Sequence, residues 1–217
     1  MYDISTWDVK FARLEAVYRT FSDEAGLARS APASEKAVAE LERSLGVGLP
    51  PSLRQVLLEY SGELSFAGEL PKTLELPQEL RELFSVCIEL SLDGILNAEE
   101  SRQGWVKEVF PNPDDSYDKV WHNKLGFMEV GNGDVLAFDL DDSADDKRVV
   151  YLSHDDGDGH GRVLGKNFGE FMENLIAVGG CGMEDWQILP FLGDGNDGIL
   201  PDCKNAVRFR ALIGLER

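Results

Sequence analysis

Hydrophobic residues along the first sixty positions recur at helical spacing. Trp7, Phe11, Leu14, Val17, Tyr18 and Phe21 fall three and four apart, which sets them on one helix face running toward Gly26 and the Ser30-Ala31-Pro32 break. Ser34 is placed to cap a second helix with the face Val38, Leu41 and Leu45 and a stop at Gly46. Pro50-Pro51 starts a third, since proline presets φ and its missing N–H is no loss in a first turn; Leu53, Val56, Leu57 and Tyr60 form its face and Gly62 closes it. The short Gly/Pro connection makes these two an antiparallel pair.

From Glu63 to Asn112 the pattern is broken by Pro71 and Pro77. The apolar run from Leu83 to Leu90 fits a buried strand or a helical turn, because so short a run carries no period that separates them; we read it as a strand. Asn97-Ala98-Glu99-Glu100 has the form of a capped helix start leading to Trp105 and Val109, and a loop follows at Pro111 to Asp114. Leu125 to Val130 and Asp134 to Leu140, joined by Gly131-Asn132-Gly133, predict a hairpin. Arg148 to Leu152 predicts a further strand, and short connections make the three neighbours antiparallel. Asn167 caps a helix bearing Phe168, Phe171, Met172, Leu175 and Ile176 on one face, ended by Gly179-Gly180. Helices first, strands next and a helix after them predict an α+β fold, with N-terminal helices packed on a mostly antiparallel sheet. Beyond Gly182, the apolar residues Trp186, Ile188, Leu189, Phe191, Val207, Phe209, Leu212 and Ile213 predict a C-terminal extension packed on the domain.

Charge narrows the function. Across 217 residues, 40 acidic side chains oppose 21 basic ones, for a net charge of −19. This field makes nucleic acid a poor candidate partner, and none is expected, since phosphate contacts need clustered Lys and Arg. The first ten residues lack a basic start and a long apolar core, and no run is long enough to span a bilayer, so neither a secretory leader nor membrane attachment is expected. Cys87, Cys181 and Cys203 are odd in number and widely spaced, which predicts buried or half-buried free thiols in a reducing cytoplasm.

The order Val38-x-x-Leu41-Glu42-x-x-Leu45-Gly46-x-x-Leu49-Pro50, then Leu53 to Ser61-Gly62, Gly126-Phe127-Met128-Glu129-Val130-Gly131-Asn132-Gly133-Asp134, Val150-Tyr151 and Asn167-Phe168-x-x-Phe171 resembles the SUKH superfamily. That superfamily includes the fungal cell-wall assembly regulator domain and bacterial proteins encoded beside toxins. The resemblance divides the chain into an N-terminal helical extension, residues 1–33, a SUKH-like α+β domain, 34–180, and the C-terminal extension, 181–217. It implies a protein-binding module without catalysis. In bacteria its usual role is immunity, in which the domain binds and blocks a cognate toxin; the alternative is a scaffold or regulatory module for a housekeeping partner.

Candidate chemistry is sparse. His154-Asp155-Asp156-Gly157-Asp158-Gly159-His160-Gly161 gathers imidazoles and carboxylates, but as a calcium loop starting at Asp156 it has histidine in position five and Asn167 in place of the closing glutamate. We read it as a solvated turn and expect no metal and no cofactor. No GxSxG, phosphate-loop or HExxH motif occurs, so no catalytic residue is assigned. Thirteen carboxylates against four lysines and arginines lie between Pro111 and His160, nearly half of the net charge. Repulsion among them is relieved by water or by a basic partner. Asp139, Asp141, Asp142, Asp145 and Asp146 after the hairpin, with Asp155, Asp156 and Asp158 after the next strand, are therefore the expected binding surface for a basic toxin, such as a nuclease.

Overall fold

Trp7, Phe11, Leu14 and Tyr18 are all fully buried, as their spacing predicts, on helix α1 (Trp7–Tyr18). The helix stops there rather than running on to Gly26. Amides of Phe21 and Ser22 fold back onto the Tyr18 carbonyl, and Gly26–Arg29 becomes a strand, β1. A computed structural model describes residues 3–215. Helices α2 (Glu35–Leu45) and α3 (Pro51–Glu59) follow the predicted signals, the Ser34 side chain accepting from the Ala37 N–H. Then come β2 (Glu63–Glu69), β3 (Ser85–Ser91), α4 (Leu92–Glu108), α5 (Asp118–Trp121), β4 (Lys124–Glu129), β5 (Val135–Asp139), β6 (Val149–Leu152), β7 (Val163–Gly165) and α6 (Phe168–Val178). Helices α7 (Asp185–Ile188) and α8 (Lys204–Ile213) complete the described residues.

This is an α+β fold, with two antiparallel sheets among the described residues where one was expected. The first has the order β1-β2-β3, with Ala67 opposite both Gly26 and Cys87. The second, β4-β5-β6-β7, extends the predicted three strands by β7, whose Val163 pairs with Val150. β3 does not continue into β4 because α4 intervenes. That helix starts at Leu92, capped by Ser91 Oγ 2.9 Å from the Gly94 N–H, and not at Asn97 as expected.

α4 lies directly on β4. A Cβ on Gly126 would stand 2.6 Å from the Ala98 carbonyl oxygen, so only glycine permits the approach. Glu99 and Arg102, both buried, clamp it: Arg102 donates to Glu99 at 2.7 and 2.8 Å and to the Trp121 carbonyl at 2.8 Å, while Glu99 accepts from the Gly126 N–H at 2.8 Å. The second sheet is buried on both faces. Leu136 and Phe138 face the main core with Phe127, Phe168 and Phe171, whereas Val135 and Ala137 face a smaller cluster around Trp121 and Phe110.

The C-terminal extension supplies Ile188, Phe191, Ile199, Ala206, Phe209 and Ile213 to the main core. Three of its expected anchors instead face water, Trp186 at 40%, Val207 at 51% and Leu212 at 36% exposure. Of the thiols, Cys181 is buried and Cys203 half-buried, but Cys87 is exposed, because it lies on the outer face of an edge strand. Gly179, at φ 106°, ends α6, and its carbonyl accepts from Tyr18 Oη at 3.1 Å. Ile213 and Phe209 of α8 pack against the same glycine, so α1, α6 and α8 meet at one point.

Phe209→Ala is expected to cost about 3–5 kcal/mol, the range for deleting a buried aromatic ring. Truncation after Gly182 should leave an insoluble or dye-binding protein; a soluble truncation with an unchanged melting temperature would refute this packing.

Candidate interaction surface

The two acidic segments fall at opposite ends of the second sheet. The 140–148 loop joins the end of β5 to the start of β6, and the 153–162 loop leaves the far end of β6. They do not form one surface.

The first segment is largely neutralised from within. Asp139 is buried, 2.9 Å from Lys124 Nζ and 2.8 Å from Arg148 Nη2, which corrects its expected place on the binding surface. Burial pushes its carboxyl pKa up, but those two cations outweigh it and hold the group below the usual carboxylate range. Asp142 accepts from the Ala144 and Arg148 amides, and its carbonyl accepts from Lys147 Nζ at 2.6 Å. Asp146 accepts from Ser52 N–H at 3.1 Å and Oγ at 2.8 Å, in the first turn of α3. Asp141, 3.6 Å from Lys124, and Asp145 are exposed. Sequence distance hid these partners, since Ser52 lies ninety-four residues from Asp146.

The second segment is built around Asp134, which sequence reasoning left without a role. Asp134 is 1% exposed and accepts from Tyr151 Oη at 2.6 Å, the His154 N–H at 2.8 Å, His154 Nδ1 at 2.7 Å and Asn132 Nδ2 at 2.8 Å. Burial raises its pKa, but these bonds together outweigh burial and hold it below the ordinary value. Its signal was the Asn132-Gly133-Asp134 turn, whose polar side chains fold back on their own backbone. His154 packs on Trp105, centroids 4.9 Å apart, and Trp105 Nε1 donates to the Gly133 carbonyl at 3.0 Å.

Segment 154–160 is accordingly braced and not merely solvated. Its backbone donates from Gly159 to Asp185 Oδ2 at 2.9 Å and from Asp156 to Tyr117 Oη at 3.0 Å. His160 Nδ1 accepts from the Ser153 N–H, so Nε2 carries the proton and donates to the Tyr117 carbonyl at 3.0 Å. Burial lowers its pKa, and a neutral ring is what this tautomer requires. Asp155, Asp156 and Asp158 are exposed, as a recognition loop requires. One ligand atom each from Asp134, His154 and Asp155 lies within 4.8 Å of the others, a grouping the sequence reading did not make.

Beside this cluster a groove of about 550 Å³ opens between β3, the β4–β5 turn and residues 182–187. Its walls carry Glu89, Glu129 and Glu184 and no lysine, arginine or histidine. None of these glutamates has a cationic partner among the described residues. Burial, then Asp134, Asp185 and Asp155, push the Glu184 pKa upward, which marks this end of the molecule as a concentration of negative potential. Phe84 at 54% exposure sits on the rim, and Trp186 lies between Glu184 and Gln187 of the wall.

The α+β domain thus carries an acidic loop neutralised from within at one end and, at the other, an acidic groove with no cationic partner among the described residues. The chain belongs to the SMI1/KNR4 family (SUKH-1), whose match covers residues 32–174, about two thirds of its length. No curated protein matches it. Among the described residues, no helix is long and apolar enough to cross a membrane. Glu184 and α7 lie beyond the matched residues, so part of the groove wall is supplied by the C-terminal extension.

Asp134→Asn is expected to cost about 2–3 kcal/mol, because its hydrogen bonds are charge-assisted. With the folded pKa lowered, the stability Asp134 supplies is complete above about pH 4 and is lost as pH falls through the folded value. Urea melts across this window should show a shallower acid loss for the variant; parallel curves would refute the assignment. Asp146→Ala should cost about 1 kcal/mol, as loss of a helix N-terminal partner does. Chelation should leave the melting temperature unchanged, whereas a rise with micromolar zinc or calcium would place an ion on Asp134, His154 and Asp155.

Proposed function

We propose that this chain is a bacterial immunity protein that acts in the cytoplasm, binding a cognate toxin domain stoichiometrically and blocking it without catalysis or cofactor. The observation that carries the reading is the groove whose three glutamates have no counter-charge among the described residues, in a member of the SMI1/KNR4 family with a net charge of −19. An unneutralised acidic wall is costly to keep in an isolated protein and becomes favourable when a basic surface covers it. A basic nuclease toxin fits that requirement, and nucleic acid itself does not. Exposed Phe84 and Trp186 suit the apolar anchor of such an interface, since aromatic side chains dominate binding hot spots.

If a toxin domain is encoded beside this gene, titration calorimetry against it should give one-to-one binding and loss of toxin activity at equivalence. Association should slow as salt rises, since screening removes electrostatic steering. Absence of binding to that toxin, with capture of a housekeeping protein instead, would replace immunity by a scaffold role.

A further inference from the structure

Three features of the groove say what form the partner takes. β3 closes one side of the first sheet, so one of its two edges has no strand paired to it among the described residues. Edge strands present unpaired N–H and C=O groups, and proteins ordinarily guard them with lysine, proline or brevity. β3 has seven residues, Ser-Val-Cys-Ile-Glu-Leu-Ser, with no lysine and no proline. β1, at the opposite side of the same sheet, has four residues and ends in Arg29. The unguarded edge is the one beside the acid.

The groove is also long. A second cavity of about 200 Å³ shares Glu89, Met128 and Glu129 with it and continues along Leu90 and Ser91 to Asn97. At roughly 3.3 Å per residue, β3 is about 20 Å long, of which the part not approached by β4 is open to a further strand. Ser85, Cys87 and Glu89 alternate with the buried Val86, Ile88 and Leu90, so the small Ser85 and Cys87 on the groove side leave space against the backbone. A second copy of this chain is a poor occupant, because a twofold contact would set Glu89, Glu129 and Glu184 against their own counterparts.

We infer that the groove takes an extended segment of the partner bearing lysine or arginine, which adds to the free edge of β3 as a further strand while its basic side chains meet Glu89, Glu129 and Glu184. Main-chain bonds to the edge supply affinity, and alternate side chains reaching the glutamates supply selectivity. This deepens the proposed function and rests on it for the identity of the partner, but the groove is testable alone.

The probe is a short fluorescent peptide of alternating lysine and threonine, with a glutamate–threonine control. Wild type should bind the first and not the second at low salt, with amide NMR shifts centred on residues 85–91. The triple variant E89K/E129K/E184K should bind at least about tenfold more weakly. D23K/D114K/D194K, with the same change in net charge at exposed sites elsewhere, should bind nearly as wild type. Both variants are checked for an unchanged melting temperature. Methylating alternate peptide nitrogens should also weaken binding about tenfold or more, since it removes the ladder donors. The inference is overturned if the lysine peptide does not bind, if the two triple variants weaken equally, if methylation has no effect, if the shifts fall on the 140–148 loop, or if sedimentation finds a dimer that buries the groove. The neighbouring-gene toxin is run in parallel. Toxin bound equally by wild type and E89K/E129K/E184K removes the groove and keeps the immunity reading, whereas peptide binding without toxin binding does the reverse.

Discussion

The contact of α4 with β4 holds the molecule's plan together. α4 begins where β3 ends and lies across the first strand of the second sheet, so it is the bracket between two sheets that share no hydrogen-bonded edge. Its close approach depends on Gly126 having no side chain and on the buried Glu99–Arg102 pair. That pair is not chiefly a source of net stability, because desolvating two charges offsets most of their attraction. What it does is satisfy the Gly126 N–H and the Trp121 carbonyl, groups that would otherwise be buried unbonded where strand, helix and loop converge. With α4 fixed this way, two strand edges are set side by side without joining, and the groove is the space left between them.

Charge then sorts the two ends of the second sheet into different roles. Near the 140–148 loop, carboxylates close the fold: Asp139 between Lys124 and Arg148, and Asp146 on the start of α3. At the other end the inner carboxylate, Asp134, holds a turn and a histidine, while the outer ones, Glu89, Glu129 and Glu184, have no partner of opposite sign among the described residues. A negative field of this kind acts at a distance on encounter rate and at contact on selectivity. Carboxylates thus close the fold at one end and stay exposed to solvent at the other.

Much of the fold was legible locally. Helices α2 and α6 carried their own caps, α3 its Pro50-Pro51 start, all three their apolar stripes, and the β4–β5 hairpin its turn, because each signal lies within a few residues. β1, β2 and β7 were missed for different reasons. β1 and β7 are only four and three residues long, with no alternation to read, and exist because a partner strand satisfies their backbone. β2 does alternate, through Leu64 and Phe66, but glycine and alanine dilute the pattern. The site was less legible. Density of aspartate in the sequence pointed to Asp139, Asp142 and Asp146, which the fold consumes, and gave no binding role to Glu89, Glu129 and Glu184, which lie in three separate segments.

By itself, then, the sequence determined the α+β class, the main helices, the central hairpin, the family and the strong negative charge of the chain. These depend on periodicity, capping and composition, which are additive along the chain. Only the tertiary structure decided that there are two sheets, that α4 joins them, and which carboxylates keep their charge available. Whether an acid is neutralised depends on a cation or amide within about 3–4 Å, and such neighbours are brought from any distance in sequence by packing.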